Sequence, residues 1–294
     1  MPIVTANGID LHYEDAGDPA APAILLIMGL GTQMIAWPDA LVETLVAAGY
    51  RVIRYDNRDI GLSTHLHDAP TTNPLVALLA TRFGLPFRHA YTLRDMAADA
   101  IALLDALGIP AAHMVGASMG GMIAQNLAAL YPDRVLSLTS IMSSSGARGL
   151  PGPTPELRRR MIARRDPRPT REQAIAAGIE MLTLISYPDP TRAPDAFRVM
   201  AGRAFDRAFN PQGARRHLLA IIADGSRAAR LAAIRAPTLV IHGAADPLVP
   251  LPNSEDIARR VPGARLEVIP EMAHDLPPAQ LSRIAGLIVA HAAG

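Results

Sequence analysis

Short apolar runs alternate with longer stretches of helical periodicity along most of the chain. The runs predict eight strands, at residues 2–5, 9–13, 23–28, 51–55, 112–115, 135–142, 238–241 and 266–269. Apolar residues at helical spacing predict helices at residues 37–49, 93–107, 119–130, 254–260 and 281–291. Strands and helices that alternate in this way form a parallel sheet with helices on both faces. The pattern therefore predicts an α/β fold with a mostly parallel, eight-stranded sheet.

Turn and capping residues mark some of the predicted boundaries. Asn7-Gly8 lies between the first two runs and predicts a tight hairpin. Asn253 or Ser254 is expected to cap the fourth predicted helix. These signals predict that a tight turn joins the first two strands and that the fourth helix begins at about residue 254.

The interval 146–235 interrupts the alternation. It shows no strand pattern and several helical segments, and loop-breaking prolines punctuate it at Pro151, Pro153, Pro167, Pro169, Pro188, Pro190 and Pro194. We expect this interval to form a helical cap inserted after the sixth strand. The flanking parts, 1–145 and 236–294, then form one core domain.

Composition and charge exclude several classes of protein. Of the 294 residues, 50% are hydrophobic, and this fraction excludes a disordered chain. None is cysteine, which excludes thiol catalysis and disulfides. The 28 basic residues are all arginine and nearly balance 27 acidic ones, so no overall field would recruit nucleic acid. Residues 148–216 nevertheless hold 14 arginines and 7 acidic residues. Within them, the arginine-rich run at 158–165 is expected to be a solvated helix face.

The sequence also carries no targeting or cofactor motif. The first ten residues lack the basic and apolar regions of a signal peptide, and the longest apolar stretch, 21–30, is about half of a membrane span. We therefore expect a cytoplasmic monomer or homodimer that binds neither nucleic acid nor membranes. No phosphate-binding loop, dinucleotide fingerprint or metal-binding cluster occurs, so neither a cofactor nor a metal is expected.

The pentapeptide Gly116-Ala117-Ser118-Met119-Gly120 matches the pattern G-x-S-x-G. A predicted strand leads into it and a predicted helix leaves it. Such a sharp turn strains the serine backbone and exposes the hydroxyl at the sheet edge, and glycines are needed because a Cβ atom would collide with neighbouring backbone. This context predicts that Ser118 is a nucleophile and not part of an ordinary tight turn.

A serine hydroxyl needs a general base that an acid holds in place. His274 is the predicted base, because it closely follows the last strand and so lies at the same sheet edge as Ser118. Asp246 is the predicted acid, because it follows the seventh strand and completes the chain order Ser, Asp, His. Glu271 is a weaker candidate for the acid, and Asp275 is expected to point elsewhere.

Most of the remaining histidines are assigned by their position. Those on a predicted strand or directly at its end are expected to be structural: His12, His113 and His242. Those in the loop-rich stretch and in the inserted interval are left as candidates to line a pocket: His65, His67, His89 and His217.

The oxyanion of an acyl-transfer reaction needs two backbone N–H donors. Met119, which follows the nucleophile, is expected to supply one of them. The other is expected from the loop after the third strand, where Gly29 and Gly31 let the backbone bend inwards and Leu30 carries the amide.

Together these features resemble the α/β-hydrolase superfamily over nearly the whole chain. The stretch 55–63 is similar to the D-x-R-G-x-G-x-S loop of that superfamily, and the resemblance implies that Asp56 and Arg58 organise loops beneath the site. Position 118 is serine, so the branches of this fold that use an aspartate nucleophile are disfavoured.

One branch of the superfamily is especially similar. Met28-Gly29 replaces the usual His-Gly of the oxyanion loop, and with Trp37-Pro38 and residues 52–56 it resembles the esterases that include aclacinomycin methylesterase. That methylesterase removes a methyl ester from a polyketide. The resemblance therefore implies an ester hydrolase with an α/β-hydrolase fold.

We expect a serine hydrolase that forms an acyl-enzyme on small to medium apolar esters. Gly29, Met28, Met181 and Ile185 are the residues expected to contact this small-molecule substrate. The same triad in this fold also cleaves carbon–carbon bonds, opens lactones or performs perhydrolysis. Some members of the fold are ligand receptors, so these alternatives remain open at the level of the sequence.

Overall fold

The computed structural model describes residues 2–162 and 169–294 of the chain. Its strands are β1 (Ile3–Ala6), β2 (Ile9–Ala16), β3 (Ala23–Ile27), β4 (Arg51–Tyr55), β5 (Ala112–Ala117), β6 (Val135–Ile141), β7 (Thr238–Gly243) and β8 (Arg265–Ile269). They form one sheet in the order β1-β2-β4-β3-β5-β6-β7-β8. β2 pairs antiparallel with both neighbours, and the other pairings are parallel. The predicted mostly parallel, eight-stranded sheet is confirmed.

Helices cover both faces of the sheet. They are α1 (Asp39–Ala47), α2 (Pro74–Arg82), α3 (Leu93–Ala106), α4 (Met119–Leu130), α5 (Pro155–Ile162), α6 (Arg171–Ile185), α7 (Ala196–Arg207), α8 (Pro211–Asp224), α9 (Ala228–Leu231), α10 (Pro252–Arg260) and α11 (Leu281–Ala292). α1 and α11 pack on one face, and α3, α4 and α10 on the other. None of the helices described in these two ranges is long and apolar enough to cross a membrane.

The central strand β3 shows how the apolar pattern produces two cores. All of its residues are buried. Leu25 and Ile27 belong to the core beneath α3 and α4, whereas Ile24 and Leu26 belong to the core beneath α1 and α11. A strand that is buried on both faces is apolar at every position, which explains why this run does not alternate.

Helices α5–α9, which we call the inserted helices, all lie between β6 and β7. The described residues of this interval form no strand, as the sequence predicted. Ion pairs join the inserted helices and their connecting loops to the rest of the molecule: Arg192 to Asp275, Arg207 to Asp56 and Arg216 to Asp59. The division into a core of 1–145 and 236–294 and a cap of 146–235 stays a prediction.

Part of the arginine-rich run lies on α5. Arg158 and Arg159 are exposed there, and Arg160 pairs with Glu180 of α6. The other two arginines of the run, at positions 164 and 165, lie outside the described residues.

Helix α2 lies where the sequence pattern assigns no helix. The Asn73 side chain caps it by accepting a hydrogen bond from the Leu75 N–H at 2.9 Å, and Pro74 takes its first position. Only Ala77 is buried in this helix, whereas apolar side chains such as Leu79 are more than half exposed. Because its apolar residues surround the helix on all sides, they show no amphipathic period that a sequence could reveal.

The predicted cap of the fourth sequence-derived helix is wrong, because α10 begins at Pro252. The Asn253 side-chain oxygen accepts a hydrogen bond from the Ser144 hydroxyl at 2.7 Å, and the Ser254 hydroxyl lies 2.6 Å from His242 Nδ1. Both side chains therefore make tertiary contacts, which local spacing does not reveal.

Candidate active site

Parallel strands bring the residues that follow them to one edge of the sheet. Ser118 follows β5 directly, Asp246 lies shortly after β7, and His274 lies shortly after β8. The segment of residues 29–33, which we call the β3 loop, follows β3 at the same edge. The candidate site is therefore assembled from the ends of four strands.

Ser118 is the single residue between β5 and α4, and its backbone is strained. Its φ of 56° and ψ of −117° cost a residue with a side chain roughly 1–3 kcal/mol. Its N–H donates to the Ile141 carbonyl at 2.8 Å, and its carbonyl accepts from the Ser143 hydroxyl at 2.8 Å. These two bonds to the β6 end hold the turn in place.

Glycines let α4 approach the sheet closely enough for this turn. A Cβ atom on Gly116 would collide with the Gly120 carbonyl. A Cβ atom on Gly120 would in turn collide with the Ile27 carbonyl, at the end of β3. The two glycines of the sequence motif are thus required by close backbone packing.

The structure brings Ser118, His274 and Asp246 into one chain of hydrogen bonds. His274 Nδ1 lies 2.7 Å from Asp246 Oδ2, and His274 Nε2 lies 3.0 Å from Ser118 Oγ. Because a carboxylate only accepts, Nδ1 carries the proton, and the Nε2 lone pair faces the serine hydroxyl. Asp246 Oδ1 accepts the N–H groups of Leu248 and Val249 at 2.9 and 2.8 Å, which fixes the carboxylate.

The loop that carries His274 is tied to the end of α6. The His274 N–H donates to the Ile185 carbonyl at 2.9 Å. The Tyr187 N–H donates to Asp275 Oδ1 at 3.1 Å, and Arg192 forms an ion pair with the other oxygen of Asp275. Asp275 therefore points towards the inserted segment and not towards the His274 ring.

Glu271, the other candidate acid, also bonds elsewhere. Its carboxylate accepts a hydrogen bond from Gln280 Nε2 at 2.9 Å, at an exposed position. Of the three acids that the sequence considered, Asp246 is the one hydrogen-bonded to His274.

His242 lies beside Asp246 and was expected to be structural. Its Nε2 is 2.8 Å from the Val249 carbonyl and 3.5 Å from Asp246 Oδ2, and its Nδ1 is bonded to the Ser254 hydroxyl. Burial lowers the pKa of His242, although the Asp246 charge acts in the opposite direction. A neutral ring that donates from Nε2 and accepts at Nδ1 satisfies both bonds, which fits a structural role.

The β3 loop passes directly over the serine. A Cβ atom on Gly29 would lie 3.2 Å from Ser118 Cβ and 3.3 Å from the Ala117 carbonyl, which is tighter than ordinary van der Waals contact. The amides of Leu30 and Met119 make no hydrogen bond to another described residue. Met119 opens α4, whose first N–H groups have no partner within the helix.

Two of the expected substrate contacts lie on α6. Met181 and Ile185 are half-buried and one helical turn apart, and the Ile185 backbone touches the His274 loop. Met28 differs, because its side chain is buried in the core beneath α1 and α11, and its carbonyl accepts from Asn57 Nδ2 at 3.0 Å. The structure thus does not bring the Met28 side chain to an open surface.

The stretch 55–63 supports the loops next to the site. Asp56 accepts the N–H groups of Met34 and Leu62 at 2.8 and 3.0 Å, and its carboxylate fills the space that a side chain at Gly61 would need. Arg58 makes a paired contact with Asp99 of α3 at 2.5 and 2.6 Å. Asp56 therefore connects two neighbouring loops, and Arg58 connects its own loop with α3.

The histidines that the sequence left open separate into two groups. His65 hydrogen-bonds the Gly61 carbonyl at 2.9 Å, and His67 and His89 pack against neighbouring aromatic rings. His217 is fully buried, and its Nδ1 lies 3.2 Å from the Gly31 nitrogen in the β3 loop. Sequence reasoning missed this contact because its partners are 186 positions apart.

Within 2–162 and 169–294, no group of three or more His, Asp or Glu side chains is arranged to hold a metal ion.

Comparison with known proteins places the chain among enzymes. A family model described as the alpha/beta hydrolase fold matches residues 22–277. Rhodomycin D methylesterase DnrP of Streptomyces peucetius is 33% identical over 98% of this chain and 97% of its own length. A putative carbamate hydrolase, RutD of Variovorax paradoxus, is 32% identical over 90% of this chain and 89% of its own.

A solved structure agrees with these relatives. The enol-lactonase of Burkholderia xenovorans is 25% identical, covers 100% of both chains and has a TM-score of 0.75. The family match includes β3 to β8 and the loops of the candidate site. The chain therefore belongs to the α/β-hydrolase fold family.

Proposed function

We propose that the chain is a serine hydrolase of carboxylic esters. The observation that carries the proposal is the hydrogen-bonded chain from Ser118 Oγ through the His274 ring to Asp246, built on a strained strand-to-helix turn. Membership of the hydrolase family and the similarity to a methylesterase support an ester bond as the target.

The first half of the reaction transfers the acyl group to the enzyme. Ser118 Oγ attacks the ester carbonyl carbon while its proton passes to His274 Nε2, which lies 3.0 Å away. Asp246 stabilises the resulting imidazolium across the 2.7 Å bond to Nδ1. When the C–O bond of the ester breaks, Nε2 returns the proton to the leaving alcohol, and an acyl-Ser118 remains.

The second half returns the enzyme to its starting state. Water gives a proton to His274 Nε2 and attacks the acyl carbonyl. The bond to Ser118 Oγ then breaks, and this oxygen takes the proton back from Nε2. The products are a carboxylic acid and the alcohol released earlier, and no external cofactor is consumed.

The negative oxygen formed in each half needs two donors at the carbonyl. The amides of Leu30 and Met119 are the proposed pair, because Leu30 follows Gly29, which approaches Ser118, and Met119 follows Ser118 directly. Both amides are otherwise free of described partners. Gly29 contributes by letting the β3 loop come within contact distance of Ser118. Removing one such donor typically slows kcat by about 10²–10³-fold.

The proposed substrates are neutral esters of small to medium size, with Met181 and Ile185 beside the acyl or alcohol group. Lactones are the second candidate, because an enol-lactonase aligns with the whole chain at 25% identity. A lactone is a cyclic ester, so the same residues would open it through the same acyl-enzyme.

The test combines labelling with turnover. A fluorophosphonate should label Ser118, as peptide mapping would show, and block hydrolysis of p-nitrophenyl esters. Ser118→Ala should abolish both, whereas Ser282→Ala, at an exposed position on α11, should change neither. An adduct on another residue, or full activity in Ser118→Ala, would refute the assignment. A panel of esters of increasing acyl length and a lactone would then rank the substrates.

A further inference from the structure

The inserted helices contact the β3 loop at its end and in its middle. Gln33, the last residue of the loop, donates through Nε2 to the carbonyls of Ala204 and Ala208 at 2.6 and 2.9 Å. Its side-chain oxygen accepts from Arg207 at 2.7 Å. One end of the loop is therefore bonded to α7 and to the residue that follows it.

The middle of the loop rests on α8. Gly31 has a φ of +66°, and a Cβ atom there would lie 2.9 Å from the Ala214 side chain. Its N–H donates to His217 Nδ1 at 3.2 Å, and His217 Nε2 lies 2.8 Å from the Arg58 carbonyl. The imidazole thus connects the β3 loop with the loop that follows β4.

Both bonds of His217 require one neutral tautomer. Nδ1 must present a lone pair to the Gly31 N–H, and Nε2 must carry the proton that the Arg58 carbonyl accepts. Burial lowers the pKa of His217 to about 4. The nearby charge of Asp59 raises this pKa, whereas the charges of Arg216 and Arg58 lower it further. The Tyr91 ring lies edge-on to the imidazole, with 6.3 Å between the two ring centroids.

We propose that His217 is a positioning residue which, by accepting the Gly31 N–H, aims the neighbouring Leu30 amide at the oxyanion above Ser118. The peptide units that carry the Gly31 and Leu30 N–H groups are joined at the Leu30 Cα atom, so fixing the Gly31 N–H restricts the direction of the Leu30 N–H. The inference rests on the proposed function, because it assigns His217 a part in that same reaction.

This role depends on the acceptor at Nδ1 and not merely on filling the space. Asparagine places its side-chain oxygen near the position of Nδ1 and can still accept from Gly31. Glutamine places its amide nitrogen near the position of Nε2 and can still donate to the Arg58 carbonyl, but it offers no acceptor to Gly31. His217→Asn and His217→Gln therefore form a matched pair of polar substitutions that separate the two bonds.

The experiment measures kcat and KM for a p-nitrophenyl ester in wild type and in both variants. We expect His217→Gln to lower kcat by about 10²-fold with little change in KM, and His217→Asn to remain within about tenfold of wild type. His113→Gln is the control, because His113 is a buried histidine bonded to Ser137 near the start of β5.

A pair of inhibitors distinguishes this role from general damage. A trifluoromethyl ketone adds to Ser118 and forms an oxyanion. The matching methyl ketone binds at the same site but forms this adduct to a much smaller extent. His217→Gln should lose affinity for the trifluoromethyl ketone by about the same factor as kcat and keep its affinity for the methyl ketone.

The outcomes separate the inference from the proposed function. Wild-type turnover that depends on Ser118, with kcat unchanged in His217→Gln, would overturn the inference alone. Equal losses for the two ketones, or equal losses in the Asn and Gln variants, would also overturn it. If wild type shows no turnover that depends on Ser118, the proposed function fails and the inference fails with it.

Discussion

Asp246 uses its two carboxylate oxygens differently. Oδ1 accepts two backbone N–H groups and is thereby fixed, whereas Oδ2 faces the His274 ring at 2.7 Å. A carboxylate at this position selects the tautomer in which His274 Nε2 is free to accept a proton. In the proposed reaction its charge therefore acts through the histidine and not through contact with the substrate.

Replacing Asp246 with asparagine should lower kcat strongly. The amide can donate to His274 and so stabilise the wrong tautomer, and in a well-studied serine protease the equivalent change costs about 10⁴-fold. Glu271→Gln is the matched control, because it removes a charge from an exposed position in the same loop as His274. Steady-state kinetics with one ester should show the large loss only in Asp246→Asn. Comparable losses in both variants would mean that another acid supports His274.

The lowered pKa of His217 also predicts how the stability of the protein depends on pH. Its pKa is about 4 in the folded protein against about 6.5 in an unfolded chain, so the unfolded state binds more protons between these values. The free energy of unfolding should therefore fall as the pH drops from 6.5 to 4, by about 3 kcal/mol from this group alone. Below pH 4 both states are protonated and this contribution no longer changes.

Urea unfolding at pH 7 and pH 4.5 would measure that loss. His217→Asn removes the ionisable group and should show a smaller decrease than wild type. The other buried histidines, among them His113 and His242, shift in the same direction in both proteins and cancel from the difference. An equal decrease in the two proteins would show that His217 already titrates normally when folded.

At the scale of elements, the contact between α4 and the sheet is closest at Gly120. An alanine there would drive its Cβ atom into the Ile27 carbonyl, which cannot move without displacing β3. We expect Gly120→Ala to reduce the free energy of unfolding by about 1–3 kcal/mol. Gly286 is also helical, but nothing lies within 4 Å of the position of its Cβ atom.

Alanine substitutions at these two glycines should change the free energy of unfolding in opposite directions. Gly286→Ala should raise the stability by about 0.5–1 kcal/mol, since alanine loses less backbone entropy in a helix. Thermal unfolding of both variants would test this difference. A Tm for Gly120→Ala near that of wild type would contradict the close packing described for α4.

Sequence reasoning recovered the elements whose signals are local. The eight strands were predicted to within a few residues, because burial on one or both faces leaves a direct mark on the apolar pattern. The positions of Ser118, Asp246 and His274 at one sheet edge also followed, because each closely follows a parallel strand. Their catalytic roles stay predictions.

What the sequence did not reveal depends on contacts between distant segments. α2 has no apolar period, and Asn253 and Ser254 face tertiary partners and do not cap their helix. The contact between His217 and Gly31 joins residues from the inserted helices and the β3 loop. No local spacing encodes such a pair, so only the three-dimensional arrangement connects them.

At the scale of the whole molecule, fewer than half of the arginines described within 148–216 form ion pairs, and most of the others are exposed. Among the described residues, five of the arginines face an acid: Arg160, Arg171, Arg192, Arg207 and Arg216. Three of these pairs reach residues outside the inserted helices. Their charges are neutralised locally and are not available to attract an anionic substrate.

We therefore expect neutral esters to be hydrolysed better than acidic ones. The measurement is kcat/KM for a neutral ester and for its ω-carboxylate analogue, each at low and high ionic strength. The neutral ester should have the higher value, with little dependence on salt. A preference for the anionic ester that fades with added salt would show steering by arginines, because the Debye length is about 10 Å at 0.1 M.

The ion pairs at Asp56 and Asp59 limit how this enzyme can be recombined with its relatives. Both carboxylates belong to the segment after β4 and are fully buried, yet their counter-charges, Arg207 and Arg216, come from α7 and α8. A chimera that carries another enzyme's inserted helices without these arginines would leave two buried carboxylates without a counter-charge. Each would lower the free energy of unfolding by about 3–5 kcal/mol. Swapping the inserted helices thus requires joint transfer of the carboxylates and their arginines.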